Sequence, residues 1–86
     1  MTKRMSQKCY KVYERAMTTC KRGLPDYLQR MSRVLSDLDE ILTEYEQNDL
    51  AFTREYSFLS KQWSDAEKSF YKMLKRWFYT RYLHDF

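Results

Sequence analysis

At 86 residues and 10.7 kDa the chain has room for one small domain. One Gly and one Pro are too few for the corners of a turn-rich β-sandwich or barrel, while 43% hydrophobic and 33% charged residues are the balance of a chain that folds. The net charge is a modest +4, and a single His, no Gly-rich loop and no clustered metal ligands exclude the usual materials of a catalytic site, so no enzyme, cofactor or metal centre is expected.

In chain order, Met5, Cys9, Val12, Ala16 and Cys20 recur every three or four residues, while Lys3, Lys8, Lys11 and Arg15 fall mostly elsewhere. This is the pattern of an amphipathic helix over about residues 3–22. Gly23-Leu24-Pro25-Asp26 joins a helix-ending Gly to a Pro suited to the first turn of a new helix, which predicts a tight helix–helix corner. Leu24, Leu28, Met31, Leu35, Leu38, Leu42 and Tyr45 then alternate steps of four and three, with Tyr27, Val34 and Ile41 widening the stripe. They predict a second helix over about residues 25–47. After Gln47-Asn48-Asp49, the residues Phe52, Tyr56, Leu59, Trp63, Ala66, Phe70, Met73 and Trp77 resume the alternation and predict a third helix over about residues 49–83.

The apolar phase crosses residues 47–49 without a shift, Asp49 standing at a core position. Two architectures follow. In one, Asn48 ends a helix and Asp49 caps the next, giving an all-α, up-down-up three-helix bundle in a single domain, dimerising by coiled-coil-like packing through its long third helix. In the other, one helix runs from about 25 to 83, nearly 90 Å, and is stable only against a second chain. The cost of burying a carboxylate and the preference of Asp and Asn for helix ends favour the hairpin. Ser64-Asp65-Ala66-Glu67 has the form of a capping box, but the apolar phase runs unbroken through it, so the helix is expected to continue. Cys9 and Cys20 would sit about 16 Å apart along one helix, too far to bridge, and are expected as buried thiols. With His84 they do not make a zinc site.

Charge is segregated along the chain. Residues 1–22 carry a net +6, residues 23–60 a net −5 and residues 61–86 a net +3. In an up-down-up bundle the basic start of the first helix lies beside Asp37, Asp39, Glu40, Glu44 and Glu46 at the end of the second. At the other end Lys72, Lys75, Arg76 and Arg81 are expected to gather with a secondary basic patch of Lys21, Arg22, Arg30, Arg33 and Lys68. A third helix of about 35 residues would also overhang the second by about three turns. In that overhang Trp77 continues the core stripe while Leu74, Phe78 and Tyr82 form another, which calls for a partner, a second copy or the first helix.

Trp, Tyr and Arg dominate interface energetics, so Lys72, Lys75, Arg76, Trp77, Phe78, Arg81 and Tyr82 are the candidate contacts for a protein partner or a second copy. Nucleic acid is the alternative, since cations neutralise phosphates and rings stack on bases, although no recognition motif is present. A membrane surface is disfavoured because the basic residues leave no clean apolar face. No span of about 20 apolar residues occurs and Met1–Arg4 leads into polar sequence, so the chain is expected to be intracellular. The composition is typical of small phage and mobile-element accessory proteins that work by occluding a host protein.

Overall fold

The structure, a computed structural model, describes residues 4–82 as three helices: α1 (Gln7–Thr19), α2 (Asp26–Gln47) and α3 (Arg54–Tyr82). Their order is up-down-up, and α3 is the common support. Both α1 and α2 lie against it, whereas no Cα of α1 comes within 8 Å of one in α2. The described part measures 48 × 21 × 20 Å, little more than the length of α3 itself, about 44 Å at 1.5 Å per residue. Among the described residues no helix is long and apolar enough to cross a membrane.

The chain breaks between α2 and α3, so the hairpin holds and the continuous helix does not form. Leu50 N–H donates to the Tyr45 carbonyl at 2.8 Å and Asp49 N–H to the Glu46 carbonyl at 3.3 Å. These are the paired bonds of a Schellman ending, with Asp49 left-handed at φ 57°. Asp49 therefore closes α2 rather than opening α3. Thr53 opens α3, its Oγ1 accepting the N–H of Tyr56 at 3.2 Å. The third helix thus starts five residues later than the apolar repeat implies.

The α1–α2 corner is built as its residues suggest. Gly23 takes φ +80°, a conformation that costs other residues a steric penalty. The Cys20 thiol donates to the Gly23 carbonyl at 2.9 Å, and Pro25 stands at the N-cap of α2 with its carbonyl accepting from Leu28 and Gln29. At the start of α1, Ser6 Oγ accepts from Cys9 N–H while Ser6 N–H donates to Glu67 on α3 at 2.6 Å. Glu67 caps a different helix from the one its sequence motif suggests, and α3 runs through residues 64–67 unbroken.

The core comprises Met5, Cys9, Ala16 and Cys20 from the α1 side, Leu24, Leu28, Leu35 and Leu42 from the α2 side, and Trp63, Phe70, Leu74 and Phe78 from α3. Trp63 ties the layers together, its indole N–H donating to the Leu35 carbonyl at 3.0 Å in the interior. The two thiols are free and buried. Burial, with Glu67 nearby, pushes the Cys9 thiol up to about 12, so it stays protonated at neutral pH and acts as a small apolar filler. Lys3, Leu83 and His84 lie outside the described residues.

Candidate interaction surface

Helical spacing gives α2 three sides. Leu28, Leu35 and Leu42 point at α3 with no exposure. On the side toward α1 lie Asp39 and Glu46, both held by Arg4: Nε reaches Asp39 Oδ1 at 2.7 Å, and Nη1 and Nη2 grip the two Glu46 oxygens at 2.9 and 3.0 Å. Tyr56 also donates its hydroxyl to Glu46. These donors, Arg4 first, hold the Glu46 carboxyl down at about 2. The expected neutralisation of the basic start by the acidic end of α2 is thus made by one bidentate arginine.

The third side of α2 faces away from α1. It carries Tyr27, Met31, Val34, Leu38, Ile41 and Tyr45, of which Met31 and Leu38 touch the core while Tyr27, Val34 and Ile41 are 44, 49 and 39% exposed. At each end of this stripe a groove opens between α2 and α3. One, of about 360 Å³, is lined by Tyr27, Met73, Arg76, Trp77, Thr80 and Arg81. The other, of about 380 Å³, is lined by Tyr45, Arg54, Glu55, Phe58 and Leu59, with Phe58 63% exposed.

The expected site residues divide among several faces. Arg76, Trp77 and Arg81 meet in the first groove, with Trp77 half-buried and Arg76 and Arg81 open to solvent. Phe78 is 1% exposed and Leu74 fully buried, so the supposed second stripe is core and Phe78 is unavailable to a partner. Tyr82 rests its ring 5.7 Å from Trp77 and 5.6 Å from Phe78, and donates its hydroxyl to Cys20 Sγ at 3.1 Å. The corner at the end of α1 therefore closes over the end of α3, and the three-turn overhang is absent. Bonding to Cys20 pushes the Tyr82 phenol up from its ordinary value.

Lys75 folds back over the Tyr71 ring, Nζ 4.9 Å from its centroid. Lys68 lines a shallow depression with Lys61 and Asp65, and Lys72 stands exposed on α3. Arg33 lines the cleft between α1 and α2 with Tyr13 and Met17, while Lys21, Arg22 and Arg30 stand in solvent. The single basic end expected from the sequence is in fact a two-arginine groove plus dispersed cations. Tyr27, Met73 and Thr80 complete that groove and were not singled out as contacts in the sequence. In the spacing, Tyr27 widens the stripe of the second helix and Met73 takes an expected core position of the third; Met73 is instead 42% exposed at the groove. The chain matches no protein-family model, no curated protein and no solved structure.

Proposed function

We propose that the protein is a non-enzymatic binding module that occupies the surface of a protein partner through the groove formed by Tyr27, Met73, Arg76, Trp77, Thr80 and Arg81. The observation that carries this reading is that groove: a half-buried indole and a tyrosine ring form its apolar floor and walls, and two arginines stand open at its rim. Rigid rings supply contact area at little entropic cost, and guanidinium forks match carboxylates in geometry, so a partner segment combining an apolar anchor with acidic residues fits best.

Affinity capture from the producing cell, with and without nuclease, tests the reading. The expected result is a protein retained through nuclease treatment and lost from Trp77→Ala, with Arg76→Ala weakening capture by about tenfold, as an interface arginine does. Capture that vanishes with nuclease and falls log-linearly with salt would move the function to nucleic acid.

A further inference from the structure

The side of α2 away from α1 repeats with the periodicity of a helix–helix seam; Met31 and Leu38 lean on the core, while Tyr27, Val34 and Ile41 stand exposed, covered by no described element. Tyr27, Met31, Val34, Leu38, Ile41 and Tyr45 step by four, three, four, three and four, over a rise of about 27 Å. The order of side chains reads alike from either end: a tyrosine outermost, then Met31 or Ile41, then Val34 or Leu38 about the centre. A stripe of that kind is complementary to itself when turned end for end, the requirement for a two-fold interface.

The charges beside the stripe have the same property. Arg30, Asp37 and Glu44 follow one another at seven-residue intervals along its solvent edge, all exposed, and among the described residues none has an ion-pair partner. In an antiparallel pair of helices, edge positions of one register face the same register of the other. Arg30 of each copy then meets Glu44 of its mate, twice per dimer, whereas in a parallel pair the two copies of this edge lie on opposite sides of the seam and Arg30 and Glu44 do not meet. Only Asp37, next to the two-fold axis, faces its own copy.

We infer that the open face of α2 is covered by a second copy of this chain, packed antiparallel with α2 against α2, so that Arg30 and Glu44 pair across the interface. This inference does not depend on the partner groove, which it meets only at Tyr27. In the dimer the two arginine grooves lie at opposite ends of the paired helices.

Sedimentation velocity over about 5–500 µM, the range in which a short apolar seam self-associates, should show a monomer–dimer equilibrium. Arg30→Glu and Glu44→Arg should each weaken it by about tenfold, since each turns two attractions into repulsions. Mixing the two variants should recover a heterodimer of near wild-type affinity, because both pairs are then attractive. Asp37→Asn should tighten the dimer severalfold. A chain that stays monomeric throughout the range, or variants that fail to rescue one another on mixing, would overturn the inference. Loss of capture by Trp77→Ala in a chain that still dimerises, or the reverse, separates this result from the proposed function.

Discussion

Three residues hold positions that their neighbours cannot take over. Trp63 fills the interior and satisfies the Leu35 carbonyl with its indole N–H, so Trp63→Ala loses packing and leaves a cavity. A cost of about 3–5 kcal/mol is expected in urea denaturation. Asp49 sits at φ 57° with a Cβ that the left-handed region disfavours. Asp49→Gly should therefore raise stability by about 0.5–1 kcal/mol in the same measurement, provided the Schellman bonds persist. The sequence marked 47–49 as a break but assigned Asp49 to the wrong side of it. Asp is common both as an N-cap and as a left-handed terminator, and only the backbone bonds of Leu50 and Asp49 distinguish the two. At Glu67 the sequence offered a local capping motif, and the structure spends the carboxylate on the Ser6 amide of another helix, a long-range choice that local pattern cannot reveal.

Among the elements, the segment leading into α1 is tied to α2 by Arg4 on Asp39 and Glu46. The Glu46 carboxyl ordinarily titrates near 4.5 and is held down at about 2 in the fold. A depressed acid contributes stability that is complete above its unfolded value and is lost as pH falls from about 4.5 toward 2. Thermal melts across that range should show Glu46→Gln less sensitive to acid than the wild type, with Arg4→Ala flattening the same limb. Although α1, expected over about 3–22, spans only Gln7–Thr19, the extent of α2 and the buried residues of α1 and α2 were legible in the spacing, because one apolar face stays in phase over a short helix. Over α3 it was not. A strict alternation of threes and fours drifts by about 20° per heptad on a straight α-helix, and along 29 residues the buried line moves from Leu59 and Trp63 to Phe70, Leu74 and Phe78. Extending the sequence stripe to Trp77 gave the indole the central core position, but Trp77 is half-buried at the edge of the core and Phe78 is the residue fully inside.

For the whole molecule, the described residues have a radius of gyration of 14.5 Å, above the roughly 12 Å expected of a compact chain this long. The elongation comes from packing three helices along one axis instead of around a thick centre. Such a slender bundle buries one face of α2 and leaves another open, and that geometry is what turns a surplus of apolar residues into a surface. Net charge along the sequence set the basic start of the first helix beside the acidic end of the second, where the structure has Arg4 on Asp39 and Glu46. It could not separate Arg76 and Arg81, which share a groove, from Lys68, Lys72 and Lys75 on the same helix, since facing depends on the rotation of α3 about its own axis.

That both other helices lean on α3 and not on each other has a bearing on how the chain is made. Synthesis delivers α1 and α2 first, and the helix that both rest upon, α3, leaves the ribosome after them. A 13-residue helix is marginal alone in water. Acquisition of the native packing therefore waits until α3 has been made, and until then Leu28, Leu35 and Leu42 lack the surface that buries them.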